Sequence, residues 1–194
     1  KLVIASNNPG KLREIGAILA PLAIEVVPQG ALGVGEAEEP HCTFIENALA
    51  KARHASRATG LPALADDSGV CVHALGGEPG VHSARYAGPQ ASDAANNDLL
   101  LREMSAVPDD RRQARYRCVL ALVHSADDAQ PLLVHGEWAG RIARAPVGDG
   151  GFGYDPLFEV IECHQTFGEL SAAVKSVLSH RRRVIRALVP KIIA

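Results

Sequence analysis

Residues 61–75 read Leu61-Pro62-Ala63-Leu64-Ala65-Asp66-Asp67-Ser68-Gly69-Val70-Cys71-Val72-His73-Ala74-Leu75. Two adjacent carboxylates stand between an apolar run, Leu61 to Ala65, and a second one, Val70 to Leu75, and Gly76-Gly77-Glu78-Pro79-Gly80 closes the segment. The pattern is a strand that ends in Asp-Asp-Ser-Gly. Burying an unpaired carboxylate is costly, so a cation or a metal ion is the usual remedy. Functional residues elsewhere are expected to aim at this point. Asp127-Asp128 has the same spacing but sits in the turn between two strands, where carboxylates face solvent. The flanks separate the two pairs; the spacing does not.

Upstream, Leu2 to Ala5 reads as a short buried strand, and Ser6-Asn7-Asn8-Pro9-Gly10-Lys11 as a polar turn. Leu12, Ile15, Ile18 and Leu19 then recur at helical spacing. A strand, turn and helix in that order point backbone N–H groups and the positive helix end at the turn, which suits a phosphate, and Lys11 adds a full charge. The turn is not a P-loop, and on local grounds it reads equally as a plain capped turn with a solvated lysine. Ile24 to Val27 is a second strand. The loop Gly30 to Pro40 carries Glu36, Glu38 and Glu39, a solvated acid cluster unless one carboxylate serves a metal. Thr43 with Glu46 forms a capping box for the next helix, Asn47 and Lys51 share one of its faces, and Gly60 ends it.

Downstream, Pro79 to Gly88 has loop composition, and Ser92 or Asp93 caps a helix reaching Met104 whose apolar residues are sparse. Arg111 to Val123 alternates, with Ala114, Tyr116, Cys118, Leu120 and Leu122 on one face. Leu132 to Ile142 is its neighbour and holds Trp138. In Gly148-Asp149-Gly150-Gly151-Phe152-Gly153-Tyr154-Asp155-Pro156 the glycines allow close backbone approach to a ligand. Phe152 is then either a base-stacking platform or a plug that pins the loop. Lys175 follows, and Ser179-His180-Arg181-Arg182-Arg183 opens the last helix with a cationic cluster that opposes the helix dipole unless an anion binds there.

The chain has 194 residues, with 47% hydrophobic and 22% charged, an ordinary globular balance. Aromatics make up 4%, so Val, Leu, Ile and Ala are expected to fill the core. A net charge of -2 argues against a nucleic-acid binder or an acidic-membrane binder. Cys42, Cys71, Cys118 and Cys163 form no C-x-x-C pair, and in apolar strands Cys71 and Cys118 read as small buried hydrophobes. There is no run of about 18 apolar residues and no leader before Lys1, so a reducing, cytoplasmic setting is expected. The elements imply an α/β chain: a mixed central β-sheet flanked by helices, one domain over 1–194, in two lobes with the active-site cleft between them. The inventory is that of phosphoryl transfer to water: acids for Mg²⁺, cations for phosphate oxygens, and a carboxylate to orient or deprotonate water.

In order along the chain, these motifs resemble the inosine triphosphate pyrophosphatase family. The carriers are Ser6 to Lys11 with Glu14, Thr43-Phe44-Ile45-Glu46-Asn47-Ala48 with Lys51, and Ala65 to Gly69. They continue with Pro79-Gly80 and Ser83-Ala84-Arg85-Tyr86, Gly151 to Pro156, and Lys175 with Ser179-His180-Arg181. The resemblance implies a homodimeric, Mg²⁺-dependent enzyme that converts ITP, dITP and XTP to the monophosphate and pyrophosphate. By the same resemblance Ser6, Asn7, Asn8, Pro9, Gly10 and Lys11 serve the triphosphate, and Lys51 contacts phosphate as part of the catalytic set. Asp67 is the general base or water holder, supported by Asp66, and Glu39 joins Asp67 at Mg²⁺. Ser68 contacts the nucleotide. Phe152 stacks on the base, Gly153, Tyr154 and Asp155 complete that wall, and Lys175, His180 and Arg181 read the base edge. Two departures stand out: Ser6-Asn7 where Thr-Gly is common, and Gly168 in place of an Ala, expected to loosen its turn. The rivals are a pyrophosphatase of other modified nucleotides and a non-catalytic nucleotide-binding module.

Overall fold

The computed structural model describes residues 1–22, 24–171, 174, 175, 184 and 188. The expected base readers His180 and Arg181, with Ser179, Arg182 and Arg183, lie outside the described residues. In chain order the elements are β1 (Leu2–Ile4), α1 (Pro9–Leu19), β2 (Val26–Pro28), α2 (Phe44–Thr59), β3 (Ala63–Val72), α3 (Asp93–Glu103), β4 (Gln113–Val123), β5 (Leu132–Ile142), β6 (Phe158–Val160) and β7 (Gln165–Thr166). Among the described residues these strands form one sheet in the order β2-β1-β3-β4-β5-β6-β7. Strand β1 pairs in parallel with β2 and β3, whereas β5–β6 and β6–β7 are antiparallel. The mixed sheet with flanking helices matches the sequence expectation.

The helices start where local chemistry dictates. Asn8 caps α1, its side chain accepting from the N–H groups of Gly10 and Lys11. Thr43 caps α2 through the Glu46 N–H, and Gly60, with φ 70°, ends that helix in the left-handed conformation that glycine adopts without strain. Ser92 caps α3 through the Ala95 N–H.

The chain divides into two compact units. Described residues within Lys1–Asp67, Cys118–Gly136 and Arg181–Ala194 form the first, and those within Ser68–Arg117 and Glu137–His180 form the second. In the first unit the alternation of the strands sorts the core into two clusters. Leu2 and Ile4 of β1, Leu64 of β3 and Cys118, Leu120 and Leu122 of β4 pack with Ile15 and Leu19 of α1. The intervening residues Val3, Ala63, Ala65, Val119, Ala121 and Val123 pack instead with Ala48, Ala52 and Ala55 of α2. Because neighbouring strand residues point to opposite faces, α1 and α2 cover opposite faces of the sheet.

The second unit departs from expectation. Its core gathers Tyr116, Trp138, Tyr154, Phe158 and Phe167 around Val70, Val72, Leu100, Met104 and Leu157. Tyr116 and Phe158 meet at 4.5 Å between ring centroids, and Trp138 and Phe167 at 5.0 Å. A low aromatic content is thus no guide to this core, since the few aromatic residues are concentrated in it. Gly168 also behaves differently from expectation. Its N–H donates to Asp155 O at 2.8 Å and its carbonyl accepts from Gly150 N–H at 2.9 Å. A Cβ there would lie 2.5 Å from Val147 O. The glycine therefore tightens the turn by permitting backbone contact.

Candidate active site

Strand β3 sends Asp66 and Asp67 to opposite faces of the sheet, Asp66 with Leu64 toward α1 and Asp67 with Ala65 toward α2. Both are buried, at 1% and 5% exposure, and each meets its own lysine. Lys11, in the first turn of α1, forms an ion pair with Asp66 Oδ1. The Cys118 thiol donates to Asp66 Oδ2 at 3.0 Å. Lys51, on α2, donates to Asp67 Oδ1 and to Glu39 Oε1, each at 2.8 Å. One helical turn before Lys51, buried Asn47 bonds both backbone groups of His41: it accepts from the N–H at 3.2 Å and donates to the carbonyl at 3.1 Å. That clamp seats the acidic loop beside α2 and brings Glu39 to Lys51.

Asp67 Oδ2 is buried and has no hydrogen-bond partner among the described residues. Burial pushes the Asp67 carboxyl above the usual carboxylate range, an effect that Lys51 and Lys11 only partly offset. Burial pulls the Lys51 ammonium down, but Asp67 and Glu39 together outweigh it, and its pKa ends above the ordinary lysine value. The result is a held cation beside a carboxylate made more basic by its surroundings. Such a carboxylate is suited to accepting a proton from water.

Glu39 and Asp67 supply the oxygen donors that Mg²⁺ prefers, and the unsatisfied Asp67 Oδ2 fits that use. Mg²⁺ commonly takes one or two protein carboxylates and completes its shell with phosphates and water. Among the described residues, no group of three or more His, Cys, Asp or Glu side chains is spaced to hold a metal ion.

In the turn before α1, Ser6 Oγ accepts from Asn8 N–H at 3.1 Å, and Asn8 Oδ1 accepts from Gly10 and Lys11 N–H groups at 2.9 and 3.1 Å. The N–H groups expected to face a phosphate are therefore capped internally. An anion bound through those N–H groups would have to displace the Asn8 cap.

The glycine-rich loop belongs to the second unit and is built around Asp155. Its Oδ2 accepts from Lys175 Nζ at 3.1 Å and from Phe152 N–H at 3.3 Å, and its Oδ1 accepts from the Tyr116 hydroxyl at 3.1 Å. Burial raises the Asp155 carboxyl, opposed by Lys175. Gly151, at φ 89°, passes so close over this ion pair that any Cβ would collide with the Asp155 carboxylate. Phe152 and Gly153 are half-buried, whereas Tyr154 is in the core with its hydroxyl donating to Ser83 O at 2.9 Å. The Tyr154 side chain is thus part of the core, and its carbonyl accepts from the Leu157 and Phe158 N–H groups, each at 2.9 Å. Gly153 donates its N–H to Asp93 Oδ2 at 2.6 Å and accepts from Asn97 Nδ2 at 3.0 Å. Ser68, half-buried, lies at the start of the second unit's part of β3. The outlying pair separates as its flanks imply: Asp127 is exposed, and Asp128 caps its own turn through His124 and Gln130 N–H groups.

Sequence reasoning missed Cys118, Tyr116, Asn47 as a clamp, Asp93 and Asn97. Cys118 and Tyr116 share their strand face with Leu120, so nothing local marks them as polar partners. Only knowledge of which strands adjoin could have done so.

A model of the Ham1 family matches residues 2–191. The chain belongs to the Ham1 family. It is 58% identical over 195 residues to a dITP/XTP pyrophosphatase of Ralstonia nicotianae, covering 99% of this chain and 96% of that one. It is 57% identical to a dITP/XTP pyrophosphatase of Nitrosomonas europaea, covering 97% and 92%. Among solved structures, a HAM1 protein from Coxiella burnetii superposes with a TM-score of 0.92 at 45% identity, covering 99% of this chain and 98% of that chain. This Ham1 chain thus matches its relatives over nearly its whole length, both units included.

Proposed function

We propose that this chain hydrolyses non-standard purine nucleoside triphosphates, dITP, ITP and XTP, to the nucleoside monophosphate and pyrophosphate. The observation that carries the reading is Asp67: a buried carboxylate made more basic, with one oxygen on Lys51 and the other without a partner among the described residues. Two relatives that match over nearly the full length are named dITP/XTP pyrophosphatases.

In this reading Asp67 Oδ2 orients a water molecule and takes its proton as the water oxygen bonds to the α-phosphorus. The bond from that phosphorus to the bridging oxygen breaks, and pyrophosphate leaves. Lys11 and Lys51, with the Ser6–Gly10 turn, neutralise phosphate oxygens, and Asp66 holds Lys11 in place. Glu39, and Asp67 through the water it orients, would hold Mg²⁺, which when bound would supply charge neutralisation on the phosphates. Phe152 stacks on the base, flanked by Gly153 and Asp155, and Ser68 touches the nucleotide. Lys175, with His180 and Arg181, donates to the C6 carbonyl of hypoxanthine or xanthine. Of its three ammonium donors, the bond to Asp155 uses one. Adenine carries an amine at C6 and leaves such donors unmet, which is the stronger form of discrimination. The same reading carries a homodimer and a cytoplasmic setting. The free thiols Cys42, Cys71, Cys118 and Cys163 suit a reducing compartment. Among the described residues no helix is long and apolar enough to cross a membrane.

The test is pyrophosphate release from dITP, ITP, XTP, dGTP, dATP and dUTP, with and without Mg²⁺. Turnover of dITP and XTP well above dATP, dependent on Mg²⁺, is expected. Faster turnover of dUTP, or no pyrophosphate from any of them, overturns the reading. Asp67→Asn is expected to lower kcat by about 10²- to 10⁴-fold with the fold retained by circular dichroism. A kcat near that of the wild type removes Asp67 from its role.

A further inference from the structure

We infer that Asp93 and Asn97 of α3 are positioning residues for the base platform, gripping the chain directly after Phe152. The inference rests on the stacking role proposed above for Phe152.

A stacking platform works only if its height and tilt are set before the base arrives. The loop that carries Phe152 has left-handed or related backbone at Gly148 (φ 77°), Gly151 (φ 89°) and Gly153 (φ 61°). Glycine at such positions is unstrained, but it leaves many other states open, so something outside the loop must select one. Asp155 performs half of that selection, accepting the Phe152 N–H and donating its own N–H to Phe152 O at 3.2 Å. The following residue is held from α3. Asp93 Oδ2 takes the Gly153 N–H at 2.6 Å and Asn97 Nδ2 reaches the Gly153 carbonyl at 3.0 Å. Asp93 and Asn97 are four residues apart and so share one helix face. Both peptide units flanking Phe152 are therefore fixed.

Helix α3 is itself firmly seated. Ser92 caps it, Asn96 bonds Ala87 N–H and Ala84 O at 2.8 and 3.2 Å, and Leu100 and Met104 anchor it in the core. This gives its sparse apolar content a use, since its polar face holds loops. The grip also carries a cost. Asn97 is 8% exposed, and its Oδ1 is buried with no partner among the described residues. A buried acceptor left unmet is destabilising. An apolar residue at this position would remove that cost but lose the bond to Gly153.

Four variants separate positioning from simple stability. In Asp93→Ala and Asn97→Leu, KM for dITP is expected to rise about 3- to 10-fold, with kcat within about twofold of wild type. Because stacking tolerates any purine, the rise should be equal for dITP, XTP and dGTP. Asn97→Leu should do this without lowering Tm. Asp93→Asn keeps an oxygen acceptor and should restore most of the loss. Ser92→Ala weakens the helix without touching Gly153, and should lower Tm while leaving KM unchanged. Amide hydrogen exchange reads the grip without any substrate: Gly153 should lose protection in Asp93→Ala and keep it in Ser92→Ala. Unchanged KM in both Asp93→Ala and Asn97→Leu, or a Gly153 amide as protected in Asp93→Ala as in wild type, overturns the inference. A wild-type protein that releases no pyrophosphate overturns the functional reading instead.

Discussion

Adjacent acids in a strand are separated by the pleat, and here that separation gives each one a different environment. Asp66 holds Lys11 and the Cys118 thiol on the α1 face, while Asp67 shares Lys51 with Glu39 on the α2 face. The pair therefore does not behave as two carboxylates sharing one proton. Asp67 is raised by burial and lowered by Lys51, and these opposing effects make a pH prediction. A base must be ionised to act, so the acid limb of kcat/KM for the wild type should lie above the ordinary carboxylate range. Lys51→Met removes the largest lowering influence, so Asp67 should ionise at still higher pH. The acid limb should move to higher pH even though overall activity falls with the lost phosphate contact. A limb that stays in place or moves to lower pH, measured as kcat/KM against pH, would show that another group controls it.

At the scale of elements, single polar side chains do the work that a longer apolar core would otherwise do. Asn47 ties the acidic loop to α2, and Arg112 does the same for the region around α3. Arg112, 3% exposed, donates Nε–H to Ile142 O at 2.8 Å, and its two terminal nitrogens reach Met104 O, Val107 O and Ala143 O. One planar fork thus satisfies carbonyls from the end of α3, the chain after it and the end of β5. Arg112→Met leaves them without a donor and is expected to cost about 2–4 kcal/mol, read as a lowered urea midpoint at unchanged slope. Arg112→Lys should recover only part of this, because an ammonium is a point donor and cannot fork. The sequence shows a strand beginning near Arg111 but does not distinguish Arg112 from the arginines beside it. Arg115 and Arg117 reach Glu137 of β5 on the more exposed side of β4.

At the scale of the whole molecule, binding should appear as stability. A ligand that binds only the folded chain at a hundred times its Kd adds about 2.7 kcal/mol. IMP with MgCl₂ is expected to raise Tm by several degrees. MgCl₂ alone should change it little, because one oxygen each of Glu39 and Asp67 is already engaged by Lys51. A large shift with the metal alone, followed by differential scanning calorimetry, would mean that the protein's own groups hold the ion without the phosphate oxygens that commonly complete its shell. Much of this protein was determined by its sequence alone. Strand alternation, the Asn8, Thr43 and Ser92 caps, the glycines of the 148–153 loop and the order of the motifs are local properties, set by sterics and hydrogen bonding within a few residues. They were enough for strands β1 to β5, helices α1 to α3 and the family, but not for the short strands β6 and β7. Tertiary structure alone decided that Asp66 and Asp67 each meet a separate lysine, that Cys118 and Tyr116 are polar partners as well as core residues, and that α3 holds the residue after Phe152. Each of these depends on which strand lies beside which and on what reaches across from another element. Such contacts arise only when distant segments are brought together, and no local pattern encodes them.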